Sequence, residues 1–150
     1  MTDLRYVIDA SVFLASVRPV ELHHRESLEL FKRLKAHRRP VFVPSILPAE
    51  IAAGFSRNGI KPLRVRRLLA LIQEQVNIQP IGVDENLGTL AAEVAIYQRI
   101  RGCDAIYVAL AQVMNATLIT LDEEQRQRIP ATVIARSPAE ELALLPPLTD

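Results

Sequence analysis

The sequence predicts a three-layer α/β domain in which a mainly parallel, twisted sheet is flanked by helices. Three observations carry that prediction. Short β-branched runs alternate with longer segments whose apolar residues recur at helical spacing, the pattern of strand–helix–strand crossovers. No repeat, low-complexity tract or flexible linker interrupts the 150 residues, and glycine occurs only five times, so residues 1–150 read as one domain. Acids stand directly after two of the runs, Asp9 after the first and Asp122 after a late one. In parallel sheets the carboxyl ends of strands form the ligand crevice.

The elements follow in order. Leu4 and Tyr6–Ile8 form a β-branched and aromatic run ending at Asp9, the expected first strand. Between Leu22 and His37, Leu28, Phe31 and Leu34 recur at helical spacing with charge between them. Val41-Phe42-Val43 is a second short strand, closed by Pro44. Ser45 is expected to cap the next helix, whose first turn tolerates Pro48 because no intrahelical donor is needed there. Its body, Glu50 to Arg57, stops at Asn58-Gly59.

A further helix fits Lys61 to Val76, with Val65, Leu68, Leu69, Ile72 and Val76 on one stripe. Lys61, Arg64 and Arg67 share another face, since residues three apart are helical neighbours. Ile78 to Val83 is a third strand, placed near an edge by Pro80. Leu87, Leu90, Ala91 and Val94 define the next helix, with Gly102 as its stop. Ile106, Ala109, Leu110 and Val113 define another, apolar on most sides and therefore buried. Thr117 to Leu121 is a strand ending at Asp122, Thr132 to Ala135 is one more, and a last helix begins near Pro138.

Composition narrows the function classes. Hydrophobic residues make up 49% and charged residues 23%, the ordinary balance of a soluble globular protein. The single cysteine, Cys103, excludes an internal disulfide and a cysteine-rich zinc module. MTDLRYVID lacks the apolar run of a signal peptide, and no run approaches the length of a membrane span, so a cytoplasmic location is expected. The net charge of +1 hides an asymmetry. Residues 18–67 hold 12 Arg and Lys against four acids, while residues 68–150 hold five Arg against 11 acids. A basic surface for a polyanion and simple solvated helix faces both account for this split.

Four acids fall at element ends: Asp9, Asp122, Glu50 in the first turns of the helix after the second strand, and Asp104 at the start of the buried one. Helix caps are the structural alternative for Asp9, Asp104 and Asp122. Gathered at one edge, four acids repel one another and raise their pKa values unless a cation neutralises them. Oxygen donors without interspersed Cys or His select Mg²⁺ or Mn²⁺ over zinc. Such an ion beside a basic surface is what phosphodiester hydrolysis requires.

VIDASV around Asp9, PSILPAEIAAGF around Glu50, RGCDAIYVALA around Asp104 and ATLITLDEEQ around Asp122 resemble the four signatures of PIN-domain ribonucleases. The likeness is strongest to the toxin subunit of VapBC toxin–antitoxin pairs and covers residues 4–136. It implies a Mg²⁺- or Mn²⁺-dependent endoribonuclease with an RNA substrate, a cognate antitoxin and a homodimer. Carried over, Asp9 and Asp104 would be the principal metal ligands, and Asp122 would complete the shell. Glu50 would position or deprotonate the attacking water. Ser11 and Thr120 match positions that line such sites and contact substrate, with local hydrogen bonding as their alternative role.

The alternative function is a catalytically inactive PIN-like RNA-binding or assembly module. A phosphoacceptor or phosphatase using Asp9 as nucleophile fits poorly, because Ser11 stands where a haloacid-dehalogenase pattern wants a second Asp. His23-His24 lacks ligand partners at metal spacing, and Cys103 reads as a small buried residue. The scattered Tyr6, Tyr97 and Tyr107 suggest no base-stacking platform. For RNA backbone contact the row Lys61, Arg64 and Arg67 is the best single candidate.

Overall fold

Tyr6, Val7 and Ile8 have no exposed surface, as expected for a strand in the middle of a parallel sheet covered on both faces. A computed structural model describes residues 4–75 and 77–149. Among these the strands are Tyr6–Ile8 (β1), Val41–Pro44 (β2), Ile78–Ile81 (β3), Thr117–Ile119 (β4) and Ala135–Arg136 (β5). They form one sheet in the order β3-β2-β1-β4-β5, and every pairing is parallel. Tyr6 is in register with Val41 on one side and Thr117 on the other, and Ile8 with Ile119. The strand order reverses between β1 and β4, so their carboxyl ends flank a topological switch point. Asp9 and Asp122 follow these two strands.

The helices are Ala10–Val17 (α1), His24–Ala36 (α2), Leu47–Arg57 (α3), Pro62–Gln73 (α4), Glu85–Gln98 (α5), Gly102–Met114 (α6), Glu123–Arg128 (α7) and Pro138–Leu142 (α8). Helix α6 packs on β1, β2 and β4, with α5 against it. Its run Ala105 to Ala111 is buried except for Ile106, as a helix apolar on most sides requires. Helix α1 packs on α2 and α3, and α3 on α4. At Gly54 the α1–α3 approach is so close that a Cβ would lie 2.7 Å from Leu14 Cδ1. Strand β3 lies at the sheet edge, where Pro80 forfeits a ladder bond that no inner strand could spare.

The C-terminus is tied back to the centre. The Tyr6 hydroxyl donates to Glu141 Oε1 at 2.6 Å, and Arg136 Nη1 pairs with Glu141 Oε2 at 2.7 Å. Glu141 is 2% exposed, and a carboxylate that deep is tolerable only when paired and hydrogen-bonded. Burial and the bond to Glu141 hold the Tyr6 phenol well above its ordinary pKa. A capping box of Ser137 and Glu140 starts α8.

Five local expectations are corrected. Ser45 does not cap α3: the N-cap is Ile46, with no side-chain bond, because Ser45 Oγ instead accepts from the Val83 amide at 3.2 Å. Gly102 does not stop α5. Arg99 does so in the left-handed region at φ 55°, while Gly102 opens α6. Cys103 is exposed rather than buried, because it faces outward in the first turn of α6. The last strand is Ala135–Arg136 rather than Thr132–Ala135, since a turn closed by Val133 N–H donating to Pro130 O occupies the preceding residues. Helix α4 ends at Gln73, and Val76 lies outside the described residues.

Candidate active site

Asp9 sits where β1 passes into α1, at the N-cap position, yet its side chain makes no cap bond. Its Oδ2 accepts instead from Ser11 Oγ at 2.7 Å and Thr120 Oγ1 at 3.0 Å. The Asp9 amide donates to Ile119 O at 3.0 Å, joining the ends of β1 and β4 across the switch point. The residue is 6% exposed. Burial raises its carboxyl above the ordinary range; the two hydroxyls oppose that, and the negative charge of Asp104 adds to it. Thr120 has no exposed surface; its hydroxyl also accepts from the Asp122 amide at 3.1 Å. Ser11 is half-buried and accepts from the Leu121 amide at 3.3 Å. Both hydroxyls thus fix Asp9 and stitch the β4 exit to it.

Asp104 lies in the first turn of α6 and is 8% exposed. It does not cap the helix: its Oδ2 accepts from Arg101 Nε at 2.8 Å. Arg101, at the N-cap, also brings Nη2 within 3.8 Å of Asp122 Oδ2. Asp122 does cap, accepting the Gln125 amide on Oδ1 at 2.9 Å. One guanidinium therefore bridges the start of α6 and the end of β4.

Glu50, in the first turn of α3, is half-buried, and its Oε1 accepts from the Tyr107 hydroxyl at 2.7 Å. Burial raises its carboxyl; the Tyr107 bond lowers it, and the charges of Asp9 and Asp104 raise it again. The Tyr107 phenol is itself held far above its usual range by burial and by Glu50. Asp104 and Tyr107 are one helical turn apart on α6, so a single helix presents an acid and the partner of a second acid to the same edge.

The four predicted acids thus share one edge of the sheet. Asp9, Glu50 and Asp104 act on one another electrostatically, and Arg101 joins Asp104 to Asp122. Among the described residues no three His, Cys, Asp or Glu side chains converge tightly enough to cage an ion. The all-oxygen donor set nevertheless suits a hard divalent cation, and Mg²⁺ is ordinarily held by one or two carboxylates with water completing its shell. Asp9 and Asp104 fit that looser mode; an all-protein cage does not fit.

Beside the acids opens a cleft of about 340 Å³ lined by Arg99, Ile100, Arg101, Asp104, Asp122, Glu124, Gln125 and Arg128. Its three arginines come from the acidic half of the sequence, and sequence reasoning missed them, as it missed Tyr107. The spacing of Arg101 three residues before Asp104 was the available signal. Lys61, Arg64 and Arg67 are exposed at the start of α4 and in its first half; among the described residues none pairs with a carboxylate. His23 is exposed, and His24 Nδ1 lies 2.8 Å from Ala15 O, which is a packing role.

Residues 6–129 match the family model described as the PIN domain. The chain is 28% identical over 144 residues to Ribonuclease VapC9 of Mycobacterium tuberculosis, covering 87% of this chain and 98% of that protein. Its fold resembles that of VapBC2 from Rickettsia felis, solved bound to a promoter DNA fragment, with TM-score 0.71, 18% identity and coverage of 89% and 98% of the two chains. It likewise resembles Mycobacterium tuberculosis VapC20, described as a Sarcin-Ricin loop cleaving toxin, with TM-score 0.68, 18% identity and coverage of 86% and 98%.

Proposed function

Because the chain belongs to the PIN domain family, we propose that it is a Mg²⁺- or Mn²⁺-dependent endoribonuclease, the toxin of a type II toxin–antitoxin pair. One observation carries the reading: a carboxylate, Asp9, is buried at the sheet's switch point, oriented by two hydroxyls and set beside the negative charge of Asp104. Burying it there is costly without a cation. The likeness to ribonuclease VapC9 and to VapBC2 supports the toxin assignment. An antitoxin partner, a homodimer and a cytoplasmic location belong to the same reading. No helix of the described residues is long and apolar enough to cross a membrane.

In this reading Asp9 and Asp104 would hold the ion, and Asp122 would complete its shell. When bound, the ion supplies charge neutralisation at the phosphodiester and a more acidic water. Glu50 orients the attacking water and takes its proton; burial and neighbouring acids raise its carboxyl, which favours that acceptance. Tyr107 fixes the Glu50 Oε1 lone pair, leaving Oε2 for the water. Ser11 and Thr120 keep the Asp9 carboxylate in one rotamer. Lys61, Arg64 and Arg67 hold the RNA backbone.

The test is cleavage of a panel of structured RNAs by wild type and Asp104→Ala, in Mg²⁺, in Mn²⁺ and in chelator. Cleavage confined to wild type with metal is expected, together with growth arrest on expression that Asp9→Ala relieves. Cleavage that persists in chelator, or in Asp104→Ala, would sink the mechanism.

A further inference from the structure

The Arg101 side chain is 80% exposed, yet its guanidinium is committed inward. Nε lies 2.8 Å from Asp104 Oδ2 and Nη2 lies 3.8 Å from Asp122 Oδ2. An exposed arginine gains little from such pairs in general, and this one gives up rotamer freedom to make two of them. Its outer side faces the cleft shared with Arg99 and Arg128. Arg128 is already engaged, donating to Arg99 O at 3.0 Å and pairing with Glu124 at 2.8 Å. Arg101 is therefore the cation in that cleft that is attached to the acid centre itself.

We propose that Arg101 is a built-in counter-ion of the acid centre, which competes with a divalent cation for Asp104 and Asp122 and so sets the metal affinity of the site. The inference rests on the metal-dependent reading above. While Arg101 neutralises these acids, the centre is less negative and Asp104 Oδ2 is occupied by an N–H donor. An incoming cation must compete with that donor and its charge for the carboxylate. The long side chain, 80% exposed, can swing into the cleft as the cation binds. The geometry makes the bridge specific to a side chain with two separated donors, Nε and Nη2. A lysine ammonium keeps the charge but reaches one carboxylate at a time.

The experiment is calorimetric titration with Mn²⁺ alone, no RNA present, of wild type, Arg101→Gln, Arg101→Lys and Asp104→Asn, each first checked for native circular dichroism. Arg101→Gln should bind Mn²⁺ roughly two- to fivefold more tightly than wild type, the range exposed ion pairs supply. Arg101→Lys should fall between them, and Asp104→Asn should lose most of the binding. If wild type binds Mn²⁺ and Asp104→Asn does not, but Arg101→Gln binds no more tightly than wild type, the counter-ion role is wrong while the metal centre survives. If no variant and no wild type binds Mn²⁺, the metal reading fails and takes this inference with it.

Discussion

The Tyr107 hydroxyl on α6 donates to Glu50 Oε1 on α3 at 2.7 Å, across a sequence separation that no local pattern reveals. Because Tyr107 lies one turn beyond Asp104 on the same helix, any shift of α6 moves a metal-ligand candidate together with the hydrogen-bond partner of the proposed proton acceptor. The bond also lowers the Glu50 carboxyl against the upward push of burial. It thereby favours the ionised form of Glu50, the form the proposed base role requires.

Tyr107→Phe should therefore cut kcat by about ten- to a hundredfold, the equivalent of one hydrogen bond to a charged group, with native circular dichroism. Without the phenol, the Glu50 carboxyl rises further, so the acid limb of the pH–rate profile should move to higher pH. A lower rate with an unmoved limb would mean that Tyr107 serves packing rather than Glu50.

The parts of this site carried by local pattern are legible in the sequence. The run Tyr6–Ile8 announces a buried strand, and a parallel sheet then places Asp9 and Asp122 at its carboxyl edge. Asp104 falls at the head of a buried helix for the same reason. What is not legible depends on side chains meeting over long separations. Glu50–Tyr107, Asp9–Thr120 and Tyr6–Glu141 each join elements whose proximity follows only from the completed sheet. The exposure of Cys103 escapes the sequence because apolar neighbours at Ala105 and Ile106 say nothing of which way the first turn of α6 faces. The charge asymmetry points to residues 18–67, although the arginines lining the cleft beside the acids come from the stretch of opposite net charge.

Metal should stabilise the fold, since a ligand that binds only the native state adds stability by mass action. At a Mn²⁺ concentration 100-fold above Kd the gain is about 2.7 kcal/mol, or a Tm rise of ~5–10 °C for a chain of this size. The double variant Asp9→Asn, Asp104→Asn should not respond to Mn²⁺, and should melt above the metal-free wild type because the buried repulsion is gone. Thermal melts in Mn²⁺ and in chelator decide it; an equal response in both proteins removes the site.

Acid titration gives an independent check in chelator. The carboxyls of Asp9 and Glu50 are raised in the folded state, so the native protein binds their protons more tightly than the unfolded chain does. Their contribution to stability is full below the ordinary carboxylate pKa of about 4 and is lost as pH rises through the raised native values. The metal-free wild type should accordingly lose more stability than Asp9→Asn, Glu50→Gln as pH rises from about 4 to about 7, since a raised native pKa loses its contribution on that side. Urea midpoints at the two pH values measure the difference, and parallel pH dependences would mean that the two acids are not strained by their surroundings.

Finally, Lys61, Arg64 and Arg67 are exposed and unpaired with acids among the described residues, which leaves their charge free to act on a phosphate backbone. Affinity gained that way comes from counterion release, so it falls steeply with salt and depends little on sequence. Replacing all three by Gln should weaken RNA binding and flatten the log–log salt slope by about 0.7 for each single-strand phosphate no longer neutralised. Cleavage of saturating RNA should change far less, because none of the three touches the acid centre. The same helix exposes Leu63 and Leu71, 60% and 57% accessible, so it has the apolar anchors of an interface as well. If α4 packs against a second copy or an antitoxin, the charges are rim residues whose loss alters association rates more than RNA affinity. Filter binding at two salt concentrations, with sizing of the same variant, separates the two: a flatter slope with unchanged size assigns the row to RNA, and an unchanged slope with altered size assigns α4 to a protein partner.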